Sequence, residues 1–190
     1  KYLNIEINYY GVKSTIVSFI NDDEKDNTLL ISAHIDSHYS GPGAYDDGLQ
    51  IIAMLGCVKY FSQQEKLNFN LNFIMLGEEE YGFPASNDVS ILINSKGTVL
   101  NLEGVGCFRT LYYATKAQTS SSIAKAFKKV KGVTFATFIN DIYSIAGSSS
   151  DLRMYEYNNI PGAELFWGGF NRYYHTKFDI LKDKNDIDYI

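Results

Sequence analysis

Apolar, strand-like runs recur along this chain, and three of them stop abruptly on a histidine or an acid. TLLISAH (28–34) stops at His34, NFNLNFIMLG (68–77) runs into Glu78-Glu79-Glu80, and KGTVLNLEG (96–104) carries Glu103 at its end. Two further runs, VKSTIVSFI (12–20) and IPGAELF (160–166), have the β-branched or apolar make-up of strands. Helical spacing lies between them, at 46–62 and at 119–130. The first of these opens on Asp46 and Asp47, acids that suit the positive end of a helix dipole. The second starts on Thr119 and serines and ends on lysines before Gly132. Strands of the buried type alternating with helices predict an α/β fold: a three-layer α/β/α sandwich around a mixed, largely parallel sheet. In such sheets the functional site lies beyond the C-terminal strand ends. Those ends are where this sequence places its histidines and acids.

Composition narrows the chemistry. The chain has 190 residues, enough for one sizeable core, and is read as a single domain over 1–190. It begins at Lys1 without an initiator Met, so it is expected to be excised from a longer protein. A net charge of −5 argues against a nucleic-acid partner. Two cysteines support neither a disulfide framework nor a four-thiolate zinc site, and Cys57 and Cys107 read as free, inert thiols. With three histidines, a metal site must lean on carboxylates. No stretch reaches the ~20 apolar residues of a membrane span.

The strand-end residues can be read one by one. In His34-Ile35-Asp36 the alternation puts both polar side chains on one side, where Asp36 is placed to orient the imidazole. Twelve residues after His34, Asp46-Asp47 follows the loop Gly41-Pro42-Gly43. A carboxylate there can bridge two cations, which an imidazole cannot. The triple Glu run and Glu103 sit among apolar neighbours, where acids are costly unless neutralised. His175 lies in YYHTKFD (173–179), four residues before Asp179. His38 reads as a rim residue with no metal role. Together these groups suit zinc, which accepts His and carboxylate ligands at about 2.0–2.2 Å.

The pattern AHIDS (33–37), GPGAYDDG (41–48), GEEEYG (77–82), NLEGVG (101–106), SSDLRMY (149–155) and YYHTKFD (173–179) resembles the co-catalytic di-zinc aminopeptidases of the transferrin-receptor and glutaminyl-cyclase superfamily. Within it, the NLE segment and Asp151-Leu152-Arg153-Met154-Tyr155 followed by Asn159-Ile160-Pro161-Gly162 are most similar to the eukaryotic endoplasmic-reticulum and vacuolar membrane metallopeptidases. The resemblance implies a zinc-exopeptidase fold and two zinc ions, with one possible. His34 and His175 would each bind one, Asp46 would bridge them, and Glu80 and Glu103 would complete the two shells. Glu79 would be the general base, its register set by the family pattern E-E-x-G. Asp36 would hold His34, Tyr174 would donate to the oxyanion, and Asp47 would belong to the loop that carries Asp46. Asp179 would support the His175 loop. The implied reaction is hydrolysis of the N-terminal residue of peptides by metal-activated water. Glutaminyl cyclisation on one zinc, carboxypeptidase action using Arg153 or Arg172, and a non-catalytic binding domain remain the alternatives. The implied setting is the lumen of the secretory pathway or the vacuole, or else outside the cell, with any membrane contact through segments beyond this chain.

Overall fold

The computed structural model describes residues 2–9, 12–19, 28–65, 67–93, 97–104, 111–115, 121–135, 150–167 and 173–181. The charged segment 21–27, Cys107 and Arg172 lie outside them. The described strands are β1 (Tyr2–Tyr9), β2 (Val12–Phe19), β3 (Thr28–His34), β4 (Asn70–Leu76), β5 (Gly97–Glu103), β6 (Leu111–Ala114), β7 (Val133–Phe135) and β8 (Gly162–Trp167). The helices are α1 (Leu49–Ser62), α2 (Pro84–Ile93), α3 (Ser121–Phe127) and α4 (Leu152–Tyr157). One sheet holds the strands in the order β1-β2-β4-β3-β5-β8-β6-β7. The run β4-β3-β5-β8 is parallel throughout. The β1–β2, β2–β4 and β6–β8 pairs are antiparallel, so the sheet is mixed with a parallel centre.

Two apolar layers cover the two faces of this sheet. Along β3, Leu30 joins one core with Ile74, Leu76, Val89, Leu152 and Tyr155, which draws in α2 and α4. Its neighbours Ile31 and Ala33 join the other, with Met54, Leu71, Phe73 and Leu102, under α1. This alternation is what a strand buried on both faces must show. The α3 helix packs on the α1 side, where Phe127 and Ile123 meet Tyr113, Leu100 and Leu165. Each fully buried Leu, Ile or Phe contributes roughly 1.5–3 kcal/mol. The expected three-layer sandwich is therefore the observed one.

Local differences from the sequence expectations have simple causes. The helix expected from Asp46 begins at Leu49. Residues Ala44–Gly48 form a widened turn in which Asp46 and Asp47 have non-helical dihedrals (φ −124°, ψ 83° and φ −126°, ψ 26°), and their mutual peptide bond is cis. The two acids therefore do not serve a helix dipole; their carboxylates turn towards the strand ends. The α3 helix ends at Phe127 rather than Val130. At Gly162 the start of β8 passes close to α4 and β5. A Cβ there would stand 2.5 Å from Leu152 Cδ1 and 3.2 Å from the Val99 carbonyl.

From β3 the sheet grows to β4 on one side and to β5 on the other. The crevice at this reversal opens at the C-terminal end of β3, where His34 sits, and parallel sheets bind ligands in such crevices.

Candidate metal centre

Four neighbouring chain ends converge on this crevice. His34 closes β3 and is 1% exposed. Glu79 and Glu80 lie in the single helical turn Glu79–Tyr81 after β4, and Glu103 closes β5. His175 follows β8 in the segment 173–179, held in the left-handed region at φ 54°. Asp46 and Asp47 enter from the loop that leads to α1.

These side chains form two groups that share one residue. In the first, His34 Nε2 lies 3.3 Å from Asp46 Oδ1, 3.7 Å from Glu103 Oε1 and 3.9 Å from Asp47 Oδ2. In the second, His175 Nε2 lies 2.8 Å from Glu80 Oε2 and 3.4 Å from Asp46 Oδ2. Within each group one donor atom per residue falls inside 4.8 Å of all the others. Asp46 belongs to both and faces each histidine with a different oxygen. The structure thus brings together all five residues singled out as ligands. It also brings Glu80, rather than Glu79, to His175.

The supporting contacts explain how the fold keeps these acids in place. Asp36 accepts the main-chain N–H of Glu79 (3.1 Å) and of Glu80 (3.3 Å). His34 Nδ1 meets the Asp36 carbonyl at 3.0 Å and its carboxylate at 3.4 Å. One residue therefore fixes both the ring of His34 and the turn that bears Glu79 and Glu80. Asp47 Oδ2 accepts the N–H of His34 (3.2 Å) and Oδ1 that of Gly104 (3.1 Å), pinning the ends of β3 and β5 together. Asp179 does more than brace its own segment: its carboxylate accepts the N–H of Tyr45 (3.0 Å) and of Asp46 (3.3 Å), and its carbonyl that of Ala44 (3.1 Å). It ties the His175 segment to the turn that presents Asp46. Gly41 allows the same approach, since a Cβ there would collide with the Thr176 carbonyl oxygen.

Asp179 is 2% exposed, so its loss would strand two buried N–H donors. We expect Asp179→Ala to lower folding stability by about 2–4 kcal/mol, read as a fall in the urea midpoint at unchanged slope.

Electrostatics show a site built for cations. Burial, together with repulsion from Glu103, Asp151 and Glu80 and against the pull of His34, pushes Glu79 up to about 10. Burial, then Asp46, pushes Glu80 to about 7. Burial likewise carries Glu103 to about 7 against the pull of His34. Burial opposes a proton on His34, yet Asp47, Asp36, Asp46 and Glu103 outweigh it and raise this histidine well above its ordinary value. Asp36 faces burial too, but His34 and the two N–H donors win and hold it low. Glu80 Oε1 and Glu103 Oε2 are buried without a hydrogen bond, and the short His175 Nε2–Glu80 contact lacks hydrogen-bond geometry. Buried acids with unused lone pairs beside imidazole nitrogens are the donor set that zinc takes.

Two residues matter more than the sequence indicates. His38, read as rim, stacks its ring on His175. Asp151 is 1% exposed with neither oxygen in a hydrogen bond of good geometry; burial lifts it to about 7, with Ser86 opposing. Tyr174 is half-exposed and stacks on His175; burial and the surrounding acids hold its phenol well above its ordinary value, so it keeps its proton. Cys57 packs against the α1-side core and is raised by burial, as an inert thiol is.

A family model described as peptidase family M28 matches residues 15–188. The chain belongs to peptidase family M28. Among its relatives is the vacuolar membrane protease of Lodderomyces elongisporus, 29% identical over 188 residues that cover 93% of this chain and 19% of that protein. The putative endoplasmic reticulum metallopeptidase 1 of Schizosaccharomyces pombe is 29% identical over 183 residues, 90% of this chain and 22% of that protein. The chain thus spans about a fifth of the length of these curated relatives. The fold matches that of BSAP, a zinc aminopeptidase from Bacillus subtilis, at a TM-score of 0.74 and 21% identity, over 88% of this chain and 44% of that one. It also matches Porphyromonas gingivalis glutaminyl cyclase at a TM-score of 0.71 and 19% identity, over 99% and 78% of the two chains. No helix among the described residues is long and apolar enough to cross a membrane.

Proposed function

We propose that the chain is the catalytic domain of a di-zinc aminopeptidase that removes the N-terminal residue of peptides. The observation that carries this reading is the position of Asp46, with one oxygen towards His34 and the other towards His175. His34, Asp46 and Glu103 would hold one zinc, and Asp46, Glu80 and His175 the other. Bound zinc supplies water activated near neutral pH and a polarised peptide carbonyl.

The remaining work falls to this chain's own groups. Glu79 takes the proton of the attacking water on its carboxylate and delivers it to the leaving amine nitrogen. Its upward shift arises among unneutralised acids, and its carboxylate would lose that shift once cations balance the neighbouring acids. Tyr174 keeps its phenolic proton and donates it as a hydrogen bond to the oxyanion. Asp36 and Asp47 keep the base and the ligands in register through the main chain. An acidic crevice of this kind would favour a substrate with a free, positively charged amino terminus, and so loss of one terminal residue over internal cleavage. The vacuolar and endoplasmic-reticulum membrane relatives support a lumenal placement beside a membrane-anchored remainder.

The test is product analysis on a peptide with an N-terminal glutamine and on its N-acetylated twin. Aminopeptidase action releases free glutamine from the first and leaves the second intact. Loss of ammonia with a pyroglutamyl product would assign glutaminyl cyclisation instead.

Zinc affinity should also depend on pH. Without metal, Glu80 and Glu103 hold protons below about pH 7 and His34 holds one above its usual range. Zinc must displace these protons, so affinity falls as pH drops from 8 to 6 and binding releases protons. Calorimetry in buffers of different ionisation enthalpy measures that release.

A further inference from the structure

Two stacking contacts converge on His175, one of them from His38, a residue outside both ligand groups. Its ring lies parallel to that of His175, with centroids 4.1 Å apart and planes 2° apart. Tyr174 stacks on the same imidazole at 3.7 Å and 19°. Two rings cannot both lie within about 4 Å of one face of an imidazole without overlapping each other. They therefore occupy opposite faces, and His175 is clamped between them. His175 needs such a clamp: it stands in a segment without helix or strand, its backbone is left-handed, and its side chain is 29% exposed.

The clamp is itself anchored. Ser40 donates its N–H to His38 Nδ1 at 3.3 Å, and Gly41 donates to the His38 carbonyl at 3.0 Å. Gly41 in turn packs directly on the Thr176 carbonyl, one residue past His175. The main chain of His38 also faces the Glu80 carboxylate and favours its charged form. The ring of His38 thus stacks on one member of the Asp46–Glu80–His175 group, and its backbone faces another.

We propose that His38 is a positioning residue for the zinc site formed by Asp46, Glu80 and His175, holding the His175 imidazole in place by stacking. The inference rests on the two-zinc reading above. It differs from a ligand role because the rings meet face to face and His38 Nδ1 is already used by Ser40. Contacts that orient metal ligands typically affect metal affinity by about 10–100-fold.

The experiment is zinc titration against a competing chelator, comparing the wild-type chain with His38→Ala, His38→Leu and His38→Phe. Removing the ring should weaken one of two zinc sites by about ten-fold and leave the other unchanged. His38→Phe, which keeps a flat ring but offers no nitrogen, should bind close to wild type. Should His38→Ala fail to fold, the Leu and Phe pair carries the comparison. Wild-type affinity in the variants without a ring overturns the proposal. So does a Phe variant as weak as Leu, which would make the His38 nitrogen a ligand. A wild-type chain that takes up no zinc at all overturns both this inference and the reading beneath it, whereas two wild-type sites indifferent to residue 38 overturn this inference alone.

Discussion

Glu79→Gln should abolish peptide hydrolysis while the chain keeps its zinc. The substitution is nearly isosteric and leaves the turn on Asp36 intact, because Asp36 binds the main chain of Glu79 rather than its carboxyl. What it removes is a carboxylate that belongs to neither histidine group among the described residues and whose own main chain, not its side chain, is held by Asp36. General acid–base catalysis is typically worth 10²–10⁴-fold, and kcat should fall by about that much. Folding should not suffer. Burial and Glu103 already make a charge at Glu79 costly, so a neutral amide there keeps or raises the melting temperature. Loss of zinc from this variant would mean that Glu79 is a ligand and the base lies elsewhere.

Asp46→Ala should have the larger effect on metal content. Its two oxygens face different histidines at 3.3 and 3.4 Å, so a single deletion opens both sites. Zinc per chain should fall from two to one or fewer. Lewis-acid stabilisation is worth several kcal/mol, so hydrolysis should fall by about 10³-fold or more. Elemental analysis and initial rates on one preparation measure both. Two retained zinc ions would show that the metals do not share Asp46.

The sequence made the parallel centre of the sheet readable because its strands are apolar runs that stop on polar residues. His34, the Glu run and Glu103 stand out as polar groups at the ends of buried strands, and Asp46 is singled out by the family resemblance, whose spacing it keeps twelve residues after His34. Other elements escape for physical reasons. The α2 helix begins at Pro84 and carries Ser86, Asn87 and Asp88, poor helix formers that its packing against α4 overrides. The α4 helix is six residues long and β7 three, too short for a period to show. In β1, Leu3, Ile5 and Ile7 alternate with Asn4, Glu6 and Asn8, a strand pattern present but unclaimed.

Within the site, residue type alone cannot separate the adjacent acids Asp46 and Asp47. Their dihedrals send one towards the histidines and the other to the N–H groups of His34 and Gly104. The grip of Asp179 on Tyr45 spans 134 residues, and the stack of His38 on His175 is as remote in sequence. No local pattern encodes contacts of that range; they exist only once the sheet has brought the loops together.

The central claim is two zinc ions acting on a shared carboxylate. It is tested most directly by returning zinc stepwise to a chelator-stripped chain while the release of an N-terminal residue is followed. The two-metal account predicts that the rate climbs until about two equivalents per chain are bound. Full activity at one equivalent, with no further change at two, would contradict it.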